Sequence, residues 1–368
     1  MADKKIQVAF AAVEKEYEKS IPSYEQNEQT NKGYVPWGEN NTFPEYLNAL
    51  YEQVTTLRTI INGTSDFVVG DGISSTVANF TTTVNKRGDT WEDLIGQMSR
   101  DYLVYGNAYC QVIKSKAGEI AELYYISARY IRSSKKNDLF YYSENYGKKY
   151  ARQNKTLVYP KFVYDSDAPT SIICIKSECD KTYGLPRYIA SLKDCEVERQ
   201  LSEFDLSLVE NSFFSNYAFS FNNGIPSDEQ KAEIERDIAE KYCGSSNAGR
   251  VLITFADSKD NSLEITPLNI ENYAEKFSTT QDRARNQIYA AFGCQPVLFG
   301  IQKETAGFSD EDYQQAFKLY NRVVVRPLQK KFVNLFNKVF GIDGSLVIKP
   351  FTIDWSDDGE NNTEQTVN

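Results

Sequence analysis

The sequence predicts an α+β protein, and three features of its patterning carry that prediction. Residues 35 to 180 set amphipathic helices ahead of six short strand-like runs, the segregated order of α+β folds rather than a βαβ alternation. Two long helical stretches then enclose a small insert of strand and helix, and a third long helix precedes an acidic end.

The elements follow in order. Residues 1–34 are polar, with one helix expected from Ile6 to Lys19. "WGENNTFPEYL" begins with turn residues and enters a helix near Pro44, since proline in a first helical turn needs no N–H donor. Leu47, Leu50, Tyr51, Val54, Leu57, Ile60 and Ile61 recur at helical spacing and form one core-facing stripe. Gly70-Asp71-Gly72 reads as a turn. A second helix spans Thr90 to Val104. The runs "NAYCQVI", "IAELYYI", "RYIRSS", "LFYYS", "TLVYP" and "SIICI" follow as an antiparallel meander, with a hairpin turn at Lys114 to Gly118.

From Tyr188 the pattern changes. Residues 188–217 read as one uninterrupted helix of about 30 residues, or about 45 Å at 1.5 Å per residue. It carries six acids (Asp194, Glu196, Glu198, Glu203, Asp205, Glu210) against Lys193 and Arg199, so a mainly acidic, non-adhesive surface is expected. In the insert, Ser227 with Gln230 forms a capping-box pattern. "RVLITFA" and "SLEITPL" are expected to pair as a hairpin across Asp257 to Asn261. A second long helix runs from about Glu271 to Phe292.

The next stretch, "YAAFGCQPVLFGIQKETAGFSDEDYQQAF", breaks that helix at Gly293 and Pro296. It packs an apolar Val297-Leu298-Phe299 and extends a small polar run before a new helix starts at Ser309. Asp310, Glu311 and Asp312 sit in the positive first turn of that helix, and Lys330, Lys331 and Lys338 fall late in it. Its apolar positions (Tyr313, Phe317, Tyr320, Val324, Leu328, Phe332, Leu335, Phe336, Val339) form a stripe assigned to packing between subunits. Pro327 should kink the helix, and Gly341 ends it. From Asp354 on there are five acids and no base, the composition of a disordered tail.

Composition narrows the function classes. The 368 residues are 41% hydrophobic, 13% aromatic and 25% charged, as in folded proteins. No apolar run approaches the roughly 20 residues that span a bilayer. Met1-Ala2-Asp3-Lys4-Lys5 has no apolar signal core, so action inside the producing cell is expected. Six scattered cysteines with no CxxC pair read as reduced, mostly buried thiols. There is no histidine, which removes Ser-His and Cys-His nucleophiles and His-containing metal sites. No phosphate-cradling glycine motif is present, and no acid pair sits in an apolar setting. The sequence therefore names no catalytic residue, no metal ligand and no cofactor. The net charge of −10 argues against a conventional nucleic-acid reader, but not against a wall past which DNA slides.

The order of elements, with "TYGLPRYIASL" (Thr182 to Leu192), "IYAAFGCQPVLFG" (Ile288 to Gly300) and "WGENNTFPEYL" (Trp37 to Leu47), resembles the portal proteins of tailed bacteriophages over roughly residues 37 to 340. The resemblance implies a portal-like α+β fold: N-terminal arm 1–34, wing 35–187, stem helices 188–217 and 271–293, and clip 218–270. It further implies plug and tunnel loop 294–308, a long C-terminal helix 309–341 and a short acidic tail 342–368. It implies a homo-oligomeric ring, typically a dodecamer, at one capsid vertex of the virion, assembled in the host cytoplasm. Double-stranded DNA would pass non-specifically through the channel. The terminase large subunit, a head-completion adaptor and the major capsid protein would be partners, with no membrane. The tunnel loop would comprise Ile301, Gln302, Lys303, Glu304, Thr305 and Ala306, hinged at Gly300 and Gly307 and anchored by Pro296, Leu298 and Phe299. The short tail departs from portals with a substantial crown. Two other readings stay open: a metal-dependent nucleic-acid enzyme, which a magnesium-dependent nicking assay would reveal, and another phage head structural protein, against which the stalked insert argues.

Overall fold

The computed structural model describes residues 7–9, 22–24, 26, 33–76, 80–146, 156–177, 181–210, 218–221, 226–231, 233–234, 252–255, 273–299, 310–340 and 346–352. Its strands are β1 (Gln7–Ala9), β2 (Ile73–Ser75), β3 (Asn107–Lys114), β4 (Ile120–Ile126), β5 (Ile131–Ser133), β6 (Leu139–Tyr142), β7 (Leu157–Pro160), β8 (Thr170–Lys176), β9 (Ala218–Phe221), β10 (Leu252–Phe255) and β11 (Leu346–Ile348). Its helices are α1 (Phe43–Gln53), α2 (Thr55–Val69), α3 (Trp91–Tyr105), α4 (Leu192–Glu210), α5 (Tyr273–Phe292), α6 (Asp310–Tyr320) and α7 (Arg326–Phe340). The chain divides into two compact units, one of residues 21–195 and 285–368, the other of residues 1–20 and 196–284.

In the first unit, here the body, the expected Pro44 helix is two helices. Val54 between them is extended (φ −97°, ψ 107°), while its N–H still reaches the Leu50 carbonyl at 2.8 Å. The predicted stripe is buried at Leu47, Leu50, Val54, Leu57, Ile60 and Ile61. The bend lets both segments face the same core. Helix α3 starts at a full capping box of Thr90 and Asp93 and ends on Gly106 in the left-handed region (φ 72°). A Cβ on Gly106 would lie 2.4 Å from the Leu185 carbonyl carbon, so glycine is required there.

The six predicted strands form at their predicted places, but not as one meander. β5–β6–β7 is an antiparallel meander, whereas β3 lies between β4 and β8, both antiparallel to it. β8 therefore returns from about sixty residues away to close on β3, as its buried Ser171, Ile172, Ile173 and Ile175 require.

The C-terminal helix is interrupted by a π-helical turn, Asn321–Val325, directly before Pro327. Pro327 offers no N–H to the carbonyl four residues back, and a wider turn accommodates that loss. The apolar stripe assigned to subunit packing is instead buried within this chain at Phe317, Tyr320, Val324, Leu328, Phe332, Phe336 and Val339. Trp91 meets the rings of Phe336 and Phe340 at 5.2 and 5.7 Å, and Gln329 donates to the carbonyls of Phe67 and Val68. The expected tail also begins with structure: β11 pairs antiparallel with β2. Lys349 and the Gly70-Asp71-Gly72 turn exchange backbone hydrogen bonds, and Thr352 N–H donates to Asp71 Oδ2 at 2.8 Å. That turn anchors the end of β11. Ser309, Gly341 and residues 353–368 lie outside the described residues.

In the second unit, the arm supplies a strand, not the expected helix, over Gln7–Ala9. It pairs antiparallel with β10, whose other edge pairs in parallel with β9. Both edges of β10 are thus occupied, so Leu252–Phe255 has no free edge for the expected hairpin with residues 262–268, which lie outside the described residues. A parallel pair needs a crossover, and a helix starting at residue 228 falls between the two strands. Ser227 and Gln230 form the expected reciprocal cap (3.1 and 3.4 Å).

The first long helix starts later than expected, and residues 211–217 and 271–272, the expected ends of the two long helices, lie outside the described residues. Ile189–Ser191 is a 3-10 turn, with α4 following from Leu192. The acidic face is also thinner than the sequence implied. Glu196 and Glu198 are buried, and Glu196 is held by Arg199 (Nε to Oε2, 3.2 Å) and Gln200 (3.0 Å).

Candidate functional site

The break after α5 builds a short anchored segment. Gly293 takes a left-handed φ of 66°, the usual way to end a helix on glycine. Its N–H reaches the Ala290 carbonyl and the Cys294 N–H the Tyr289 carbonyl, both at 3.0 Å. Pro296–Phe299 then forms one 3-10 turn with Val297 and Leu298 buried. Phe299 is partly buried against the core, with Phe67 at 6.1 Å and Tyr320 edge-on at 6.5 Å. Gly63 of α2 makes the room: a Cβ there would lie 2.1 Å from the Phe299 ring. Behind it, the Thr64 and Tyr320 hydroxyls hydrogen-bond at 2.6 Å, both buried.

Burial pushes the Cys294 thiol up to about 12 and raises the Tyr320 phenol. Neither group is poised for nucleophilic or acid–base work near neutrality. Cys110, Cys195 and Cys294 are buried and Cys174 is half-buried, none of them in a disulfide. Cys179 and Cys243 lie outside the described residues. Among the described residues no group of three His, Cys, Asp or Glu could hold a metal. Of the expected anchor residues, Leu298 is buried and Pro296 and Phe299 are half-buried. Gly300, Ile301, Gln302, Lys303, Glu304, Thr305, Ala306 and Gly307 lie outside the described residues. Gly63, Thr64 and Phe67, which receive the turn, gave no signal in the sequence beyond membership of an apolar helix.

The three sequence motifs meet inside the body. Trp37 stacks on Tyr183 with ring centroids 4.3 Å apart and planes 4° from parallel. The Tyr183 hydroxyl donates to the Val35 carbonyl at 2.5 Å and accepts from the Ser133 N–H at 2.9 Å. Gly184 and Asn107 exchange hydrogen bonds of 2.9 and 3.0 Å. Tyr188 stacks on Phe292 at 5.7 Å and donates to the Val104 carbonyl at 2.9 Å. The Glu-Asn-Asn of the first motif places Asn40 and Asn41 at positive φ (55° and 62°). Asn41 thereby offers both its side-chain and backbone oxygens to the fully buried Arg132. Arg132 also donates to the carbonyls of Arg129 and Ile131, each at 2.9 Å, and lies over the Tyr146 ring at 4.3 Å. These motifs hold together the root of the two long helices.

The phage portal protein family matches residues 75–354. The chain belongs to that family. It is 23% identical over 231 residues to the probable portal protein of Escherichia phage P2, covering 63% of this chain and 63% of that protein. It is 22% identical over 291 residues to protein XkdE of the phage-like element PBSX of Bacillus subtilis strain 168, covering 67% of this chain and 58% of that protein. Across four curated relatives the chain spans 31% to 63% of their length.

Among solved structures, an HK97-family phage portal protein from Corynebacterium diphtheriae aligns with TM-score 0.52 at 12% identity, covering 82% of this chain and 94% of that one. A chain from the neck of a native gene transfer agent particle, computed with C12 symmetry, aligns with TM-score 0.52 at 18% identity, covering 83% and 84%. The portal fold is therefore this chain's fold, mixed helix and strand as its sequence predicted.

Proposed function

We propose that this portal-family chain assembles into a homo-oligomeric ring at one capsid vertex and conducts double-stranded DNA during packaging and ejection. The observation that carries this reading is the family match over residues 75–354, which takes in both long helices, the insert between them and the break after α5. The twelve-fold symmetry of the gene transfer agent neck supports a dodecamer. Residues 35–187 form the wing and 218–270 the clip, which docks the terminase large subunit and then a head-completion adaptor. The major capsid protein surrounds the ring, in the virion and, during assembly, in the host cytoplasm. The protein acts as a conduit and assembly hub, not an enzyme.

In this reading the buried turn at Pro296, Leu298 and Phe299 fixes the root of a tunnel loop, residues 300–308. Lys303 beside Glu304, repeated around the ring, gives a near-neutral collar that touches phosphates without gripping them. Negative-stain imaging and native mass spectrometry of the purified chain test the assembly. A ring with a central hole is expected; a chain that stays monomeric at micromolar concentration overturns the reading.

A further inference from the structure

We propose that the exposed row of cations along the C-terminal helix, Lys318, Arg322, Arg326 and Lys330, is a contact surface for the phosphate backbone of duplex DNA. The inference rests on the conduit reading only for the source of the duplex; the surface stands on its own.

The row is regular. Its members recur every four residues, and all four are exposed, with Lys338 two steps further on. In an ideal α-helix such a row drifts about 40° per step. Here the π-helical turn Asn321–Val325 sits inside the row. Its wider turn takes up more residues, which offsets that drift. The opposite side of the same helix is sealed, since Phe317, Tyr320, Val324, Leu328 and Phe332 are buried. Lys318 to Lys330 therefore runs as one strip about 18 Å long at 1.5 Å per residue.

Among the described residues the row is also uncompensated. Residues 313–340 contain six cations and no acid, in a chain whose net charge is −10. Among the described residues no ion pair involves these four cations. Like charges four apart on a helix repel one another, so the arrangement calls for a partner that brings negative charge along a line. Duplex phosphates do so. Lysine is depleted at protein–protein interfaces whereas arginine is not, so it is the two lysines of the row that favour phosphates over a protein partner. Exposed Leu319 and Val323 beside the row leave the sugar edges of a duplex free to pack.

Binding of a labelled linear duplex to the full-length chain, titrated over a range of salt concentrations, tests this. The comparison is with a variant carrying Lys318→Gln, Arg322→Gln, Arg326→Gln and Lys330→Gln. Glutamine is a good helix former and the positions are exposed, so the fold should hold. A control variant replaces four exposed lysines elsewhere, Lys116, Lys136, Lys161 and Lys181, by glutamine. The expected result is at least a tenfold loss of affinity for the row variant only. The slope of log K against log salt should shrink by about 3 to 4, one counterion per lost contact. Equal losses in both variants, unchanged affinity in the row variant, or no binding by the parent chain each overturn the proposal. Light scattering on the same samples separates the alternatives. If the row variant changes copy number while duplex binding holds, the row faces acids of a neighbouring copy and the proposal fails. A parent chain that forms no ring yet binds through the row would sink the conduit reading and leave this one standing.

Discussion

The body and the smaller unit gather their parts differently. In the body, a single buried cluster runs from Val35 to Ile348, and it closes around sheets built largely from strands near in sequence. In the smaller unit, a three-stranded sheet draws on residues 7–9, 218–221 and 252–255. Its described helical residues also leave Phe204 (40%) and Leu206 (58%) exposed. Nearby strands close loops at little entropic cost, so apolar burial readily holds them. In the smaller unit only the arm strand is distant, pairing from residues 7–9 with 253–255, and the entropy of closing so long a loop grows slowly with its length.

The strongest challenge to that contrast is a charge in the body's core. Leu298→Asp or Phe299→Asp should destabilise the body by several kcal/mol, because a carboxylate would enter an apolar site with no partner. Urea unfolding followed by tryptophan fluorescence reads this, since Trp37 and Trp91 are both in the core. An unchanged midpoint would mean that the turn after α5 is not anchored at all.

A pH dependence should mark the body next. Asp101 is buried and accepts hydrogen bonds from Tyr125 (2.9 Å) and the Ala128 N–H (2.6 Å). Burial raises its carboxyl to about 7. The native state then holds this proton more tightly than the unfolded chain does. The contribution is complete below about pH 4 and is lost as pH rises through about 7, up to roughly 4 kcal/mol at 1.36 kcal/mol per unit. Asp101→Asn should flatten the stability profile between pH 4 and 7. A variant profile as steep as the parent's would assign the slope to another group.

Smaller effects sharpen the comparison. Gly63→Ala should cost about 1–3 kcal/mol, since the new Cβ meets the Phe299 ring and overpacks a filled site; differential scanning calorimetry decides it. Removing residues 1–20 should release one edge of β10, raising hydrogen exchange at 252–255 while β3 keeps its protection. Equal loosening of β3 would show that the two units fold as one. The least effect on assembly belongs to Lys303→Ala, which should leave size-exclusion profiles unchanged while altering packaged-DNA yield. A broken ring would refute the division into anchored turn and working loop.

Much of the fold was legible in the sequence. The start of α3 at Thr90, the Ser227–Gln230 cap, the six strands, the stop at Gly293 and the buried Val297-Leu298 follow from capping, alternation and glycine geometry, which act over a few residues. The resemblance motifs marked the family, but only the folded chain gave them a task, stacking Trp37 on Tyr183 and Tyr188 on Phe292. Which strand lies beside which was decided by tertiary structure. Gln7–Ala9 belongs to the β10 sheet and Leu346–Ile348 to the β2 pair, and three-residue strands carry too little pattern to name a partner hundreds of residues away. The direction of the C-terminal stripe was also open, because a 3.6-residue period shows that one face is buried, not what buries it. Packing against the chain's own core turned Phe332 and Phe336 inward, and so left Lys318, Arg322, Arg326 and Lys330 facing out.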